Sequence, residues 1–409
     1  MSNVDDARPA GPAAPVAKAR AATPVSVIMP VRDAELLLPE SVSQVLGQAY
    51  PGEIELVLAV GPSKDKTAHI AEQLAAADSR IKVVANTTGQ IPNGLNAAVL
   101  ASRHPVIVRV DARSRLPGNY IAIAVRTLRQ TGAVNVGGVR AAEGITAFQQ
   151  AVAWAMTSPF GVGSSRYNTG GSAGPSDSVY LGAFRREAIE KVGGYDERYL
   201  RAEDWEMNHR IRASGGLIWF QPELRVRYRP RGSVRELASQ YFLYGRWRRV
   251  IARLHGTINV RYLTPVAMVV GVLAGLLAGL AGIFGLVAGV NGWWPVLLSA
   301  CLGIPLVYVI FLLTVAVRAG TDGRIGRNSL AWLPVVLATM HICWGLGFLT
   351  SRRGLVRGPA DLRPERVMRN RPGPAPGSSP APPAPGSSPA APAPAEPIPA
   401  SALPADIPE

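Results

Sequence analysis

The chain has 409 residues, with 43 Lys or Arg against 28 Asp or Glu for a formal charge of +15, and only two cysteines. That length holds one catalytic-sized domain plus appendages, and Cys301 and Cys343 both lie in apolar runs, which argues against a disulfide framework or a cysteine-based metal site. The basic excess sits in residues 225–261, with ten arginines and one acid, and in 318–371, with ten arginines and three acids; both adjoin apolar segments, so it reads as juxtamembrane arginine facing anionic lipid and not as a nucleic-acid surface.

Residues 1–22 mix charges with Pro and Ala, lack the apolar core of a secretory signal, and are expected to be disordered. From 23 to 232, β-rich runs at 25–31, 54–60, 81–86 and 106–111 alternate with helical patterns at 36–47, 66–77, 93–102 and 119–130. That order predicts a mostly parallel, Rossmann-like α/β sheet whose ligands bind at the carboxyl ends of the strands. The turns 30–33, 61–65 and 111–113 should therefore cluster at one edge. Residues 233–261 read as a basic amphipathic helix suited to a membrane interface, with Leu237, Tyr241, Val250 and Ile251 broadly on one face.

Three uncharged segments, 263–290, 294–317 and 331–349, each reach the length needed to cross a hydrocarbon core, which defines a membrane region over 262–349. Three crossings conflict with the arginine pattern, because they would place 352–371 on the side opposite the first basic stretch. Either the third segment, which contains Pro334 and His341, does not fully cross, or the Gly-rich first one is broken. Two or three spans are thus expected. Residues 350–409 begin basic and become a Pro/Ala-rich run, in which APGSSPA occurs twice, expected to be disordered.

PVSVIMPVRDAE, PSKDKT, VRVDARSRLP and LGAFRREAIEKVGGYDERYLRAEDWEMNHRIRASGG follow one another ahead of the apolar helices. In that order they resemble a family 2 glycosyltransferase of the GT-A fold, of the membrane-anchored succinoglycan-biosynthesis type. The resemblance implies an inverting transferase that moves a sugar from a nucleotide-diphosphate donor to a polyprenyl-linked or glycolipid acceptor. It also implies a catalytic domain on the cytoplasmic face of a bacterial-type membrane. Pro30 and Arg32 become donor-site candidates. The family usually places a base-holding acid where Val60 stands, so Asp65 or a backbone group is expected to substitute.

Asp111 corresponds to the first acid of the family's Asp-X-Asp metal motif, while Arg113 stands at the second. One carboxylate suffices in principle to hold Mg²⁺ or Mn²⁺ against a diphosphate, with phosphate oxygens and waters completing the shell. Arg113 has no lone pair for a metal but can pair bidentately with phosphate. Asp204, in the Glu203-Asp204 pair, matches the family's general base, with Glu203 orienting the acceptor or the loop and Glu206 in support. His209 is read as a packed or solvated helix residue. Gln240 and Arg246-Trp247 lack the spacing of a processivity motif. The rival reading is a catalytically inactive GT-A scaffold in an envelope assembly complex, suggested by Val60 and Arg113 and opposed by Asp111, Glu203 and Asp204.

Overall fold

A computed structural model of the chain describes residues 22–163, 165–256, 260–321, 323 and 325–356. Of the segments expected to be disordered, 1–22 and 350–409, residues 1–21 and 357–409 lie outside the described residues, while 22 and 350–356 are described. The sheet is built from β1 (Val25–Val31), β2 (Ile54–Val60), β3 (Ile81–Ala85), β4 (Val106–Arg109), β5 (Ser114–Arg115), β6 (Asn135–Ala142), β7 (Gly174–Pro175), β8 (Tyr180–Arg185) and β9 (Ile218–Tyr228). Around it run α1 (Leu38–Leu46), α2 (Thr67–Ala77), α3 (Ile91–Ala101), α4 (Tyr120–Thr131), α5 (Ala147–Thr157), α6 (Pro159–Val162), α7 (Arg166–Thr169), α8 (Arg186–Lys191) and α9 (Glu203–Ala213). Then follow α10 (Val234–His255), α11 (Val260–Val287), α12 (Trp294–Ala300), α13 (Gly303–Thr321) and α14 (Arg327–Leu349).

The strand order is β3-β2-β1-β4-β8-β6-β9-β5, with β7 on β9; β1 to β4 are parallel and β8 turns antiparallel against both β4 and β6. This is the mostly parallel mixed sheet of the expected fold class. Val25 pairs with Ile54 on one side and Val106 on the other, so the strand order reverses between β1 and β4, where open α/β sheets place their ligands. Side-chain alternation divides β4: Val106 and Val108 enter one apolar core, and Ile107 enters the other, together with Met207 and Ile211 of α9. Arg109 continues the Ile107 face. A register shift in β6 falls at Gly137 to Val139, where a Cβ on Gly138 would lie 2.0 Å from the Leu224 carbonyl oxygen. Only glycine permits that approach.

Three stretches, Tyr262–Val287, Trp294–Thr321 and Arg327–Leu349, are long and apolar enough to cross a membrane. They differ in what they touch. Leu277, Phe284 and Val287 of α11 and Leu306 and Val307 of α13 are exposed, whereas Leu333, Val336, Leu337 and Met340 of α14 are buried. Helix α14 is held by the catalytic domain near both ends: Ser329 Oγ donates to Gln150 Oε1 of α5 at 2.8 Å, and Arg249 Nη1 of α10 donates to the carbonyls of Phe348 and Leu349 at 2.8 and 2.6 Å. Gly245 and Gly347 allow the close crossing of α10 and α14, since a Cβ on either would come within about 2 Å of a carbonyl oxygen opposite. The apolar face of α10 expected to meet lipid is instead covered by protein. Leu237 and Tyr241 join the α5–α14 core, and Val250 and Ile251 pack with Tyr199.

Candidate active site

The turns after β1 and β4 converge as their strands direct. Pro30, Arg32, Asp111, Arg113, Glu203 and Asp204 all line one continuous cleft of about 2610 Å³. Asp65 does not. Its Oδ2 accepts from the Glu35 backbone N–H at 3.1 Å and its Oδ1 from Thr67 N–H at 3.0 Å and from the Thr67 hydroxyl, which holds its pKa below the ordinary value. The carboxylate locks the β2–α2 loop onto the turn after β1, a loop-capping role common for Asp; as a donor-base contact, Asp65 is corrected. Asp33 adopts φ +46 at the cleft edge, and α1 begins later, at Leu38.

The centre of the site is a residue that sequence reading passed over. Arg109 at the end of β4, its side chain 5% exposed, faces three acids: its Nε donates to Asp111 at 3.1 Å, its Nη2 to Glu203 at 3.2 Å and its Nη1 to Asp204. Helix α9 brings two of these acids to it. Ala202 at φ +62 starts α9 with Glu203 and Asp204 in its first turn, where the helix dipole favours negative charge. A left-handed alanine costs on the order of 1 kcal/mol, which the surrounding packing must offset. The helix is anchored behind the acids by Asn208, which accepts from Asn135 Nδ2 at 2.7 Å and donates to Ser178 Oγ at 3.0 Å. Glu206 is buried in a pair with Arg210 at 2.6 Å, one turn further along α9.

Burial, and then the neighbouring Asp204, push the Glu203 pKa up to about 8 against the pull of Arg109. Burial thus favours the protonated form of Glu203 relative to an ordinary glutamate, and the guanidinium also faces the side chains of Asp111 and Asp204. The side chains of Asp204 and Asp111 are 39% and 36% exposed, so both reach the cleft while tied to a buried cation. Arg113 and Arg32 line the wall beside them. His209 stacks on Trp205 at 5.3 Å and meets His255 edge-on at 4.6 Å, a packing role.

Whether a divalent ion fits turns on the donor set. Among the described residues no group of three His, Cys, Asp or Glu side chains is arranged to hold a metal. Asp111 offers a cleft-facing carboxylate beside Arg113, which suits an ion whose remaining ligands are phosphate oxygens and water.

Comparison with known proteins identifies the family. The "Glycosyl transferase family 2" model matches residues 26–193. The chain is 30% identical over 307 residues to the succinoglycan biosynthesis protein ExoA of Rhizobium meliloti (strain 1021), covering 73% of this chain and 86% of that protein. It is 31% identical over 87 residues to the uncharacterized glycosyltransferase EpsJ of Bacillus subtilis (strain 168), covering 21% and 25%. Among solved structures it is similar to the mannosyltransferase PcManGT from Pyrobaculum calidifontis, determined with GDP-Man and Mn²⁺, at 16% identity and a TM-score of 0.49, over 80% of this chain and 88% of that one. The chain belongs to glycosyltransferase family 2, with a GT-A catalytic domain followed by apolar helices of membrane-spanning length.

Proposed function

We propose that the protein is an inverting glycosyltransferase of polysaccharide biosynthesis, moving a hexose from a nucleotide-diphosphate sugar to a polyprenyl-linked or glycolipid acceptor at the cytoplasmic face of the cell membrane. The observation that carries this reading is the continuity of the cleft. It runs from Asp111 and Asp204 to Met268, Ile304, Phe311 and Trp344 on α11, α13 and α14. A lipid-borne acceptor enters such a cleft from the bilayer side, and confinement to the leaflet raises its effective concentration.

In this reading Asp204 removes the proton from the acceptor hydroxyl as the new bond forms, and direct displacement inverts the anomeric centre. Arg109 holds Asp204 in place, and Glu203 orients the acceptor or its loop. A divalent ion, Mg²⁺ or Mn²⁺, would be held by Asp111 and would neutralise the leaving diphosphate. Arg113 and Arg32 supply fixed positive charge to the same group, and Pro30 shapes the turn against the donor. Two crossings, α11 and α12–α13, with α14 lying along the catalytic domain, keep both arginine-rich stretches on one side. That arrangement accords with the positive-inside rule, and exposed arginines such as Arg235 then meet anionic lipid. The test is to incubate the purified full-length protein with a panel of nucleotide sugars, with and without a bacterial lipid extract. Nucleoside diphosphate release that depends on the lipid extract is expected; release with a water-soluble sugar acceptor alone would overturn the lipid-acceptor reading.

A further inference from the structure

A second, half-buried arginine lines the same cleft without an acid. Arg140 lies on β6 just beyond the glycine-dependent register shift, a kind of irregularity that re-aims a side chain. Its Nη2 donates to Asn168 Oδ1 at 2.6 Å, and its guanidinium carbon lies 5.9, 5.9 and 5.4 Å from the ring centres of Tyr167, Tyr180 and Tyr228. Among the described residues no Asp or Glu pairs with it, and its enclosed Nε has no hydrogen-bond partner. Burial holds the phenols of Tyr180, Tyr241 and Tyr244 above their ordinary pKa, so these rings are neutral near pH 7 and supply no counter-charge.

A half-buried cation surrounded by neutral groups is costly until an anion or ordered water meets it. Its neighbours carry further unmatched polar atoms. Gln240 Nε2 donates to the hydroxyls of Tyr244 and Tyr228 at 2.8 and 3.3 Å, but its buried Oε1 and the buried Tyr241 hydroxyl have no partner among the described residues. The location narrows the anion. Arg140 lies 5.9 Å from the ring centre of Tyr180, and both line the same cleft as Asp111 and Arg113. On its other side Tyr241 and Tyr244 belong to α10, beyond which the cleft is walled by the apolar groove of Phe311 and Trp344.

We infer that Arg140, oriented by Asn168 and framed by Tyr180 and Tyr228, binds the phosphate or diphosphate of the lipid-linked acceptor, with the lipid chain in the apolar groove and the sugar directed to Asp204. This rests on the lipid-acceptor reading above. The guanidinium is suited to the task, because its planar fork can hold two phosphate oxygens.

The test uses the full-length protein in a neutral detergent, with apparent Kd taken from ligand-dependent thermal stabilisation. The probes are farnesyl diphosphate and farnesol, both with chelator, and UDP and GDP, both with Mg²⁺. Wild type is expected to bind farnesyl diphosphate at least about 10-fold more tightly than farnesol. Arg140→Gln should weaken farnesyl diphosphate by about 10- to 100-fold, the range of a lost charge-assisted pair, and leave nucleoside diphosphate binding unchanged, which also shows that the variant is folded. Should Arg140→Gln fold poorly, Arg140→Lys decides, because losing the fork must weaken farnesyl diphosphate and not the nucleotide. The site assignment is overturned if the Arg140 variant that folds binds farnesyl diphosphate as wild type does, or if the loss falls on UDP or GDP, which would give this cation to the donor. A wild type that binds farnesyl diphosphate no better than farnesol overturns the lipid-acceptor reading itself.

Discussion

Arg109, buried, and Arg140, half-buried, line the same cleft and are opposite in what surrounds them. Arg109 is saturated by three acids of this chain, and Arg140 is ringed by tyrosines that stay neutral. A place in the cleft alone therefore does not tell what a charge is for. A cation matched within the protein organises the residues around it, whereas one matched only by dipoles and ring faces is suited to a ligand that brings the opposite charge.

The comparison breaks if both arginines respond alike to removal. Arg109→Met leaves Asp111 and Asp204 without their shared cation and removes the partner of Glu203, and should cost about 2–3 kcal/mol of stability, the scale of lost hydrogen bonds to a charged group. Arg140→Met strands no buried acid and should cost about 1 kcal/mol or less, mostly through lost ring contacts. Thermal or chemical unfolding of the two variants side by side measures the gap; equal losses would mean that Arg140 too is a structural residue. Arg113 sharpens the contrast from the exposed wall of the cleft. With chelator present, Arg113→Ala should lower donor turnover by about 10- to 100-fold through loss of a charge-assisted phosphate contact, with unchanged stability. Kinetics with and without chelator check this, and a variant as active and as chelator-sensitive as wild type would make Arg113 a bystander.

Glu203 gives a pH-dependent version of the same contrast. Its pKa is raised from 4.5 to about 8 in the folded protein, so between those values the folded state holds a proton that the unfolded state has released. Its contribution to stability therefore falls as pH rises through this window and levels off above it. Melting temperatures from pH 5 to 9 should fall less steeply for Glu203→Gln than for wild type. Parallel curves would show that Glu203 is not held protonated beside Arg109. The smallest effect belongs to Ala202→Gly, which relieves a left-handed backbone and should gain up to about 1 kcal/mol of stability while slowing turnover a few-fold as the start of α9 loosens. A gain in both quantities would remove the strain from any catalytic role.

The four parallel strands and their helices were legible because each carries its own period: β1 and β2 occupy the predicted residues, and the helix ends differ by one or two positions. The second half of the sheet was not, because β6 holds two glycines and β9 holds a proline within mixed polarity. Asp111, Glu203 and Asp204 were legible through motif order. Arg109 was hidden inside the β-branched run VIVRVD, and its one local signal was a guanidinium on the alternation of an otherwise apolar strand. Arg140 had no local signal, since the rings around it come from positions 167, 180 and 228. Asp65 was misread because its three acceptor contacts bridge two loops that sequence alone does not juxtapose. The course of α14 was equally long-range, since its contacts with α5 and α10 join residues about 100 to 180 positions apart.

The central claim is that the acids gathered on Arg109 form the catalytic centre, with Asp204 as the base. Its most direct test is the single-turnover rate of Asp204→Asn in the full-length protein, with donor binding and melting temperature measured on the same sample. The account predicts a rate lower by about 100-fold or more, the scale of a positioned general base, with folding and donor binding retained. A near-normal rate in a folded, donor-binding Asp204→Asn would contradict it.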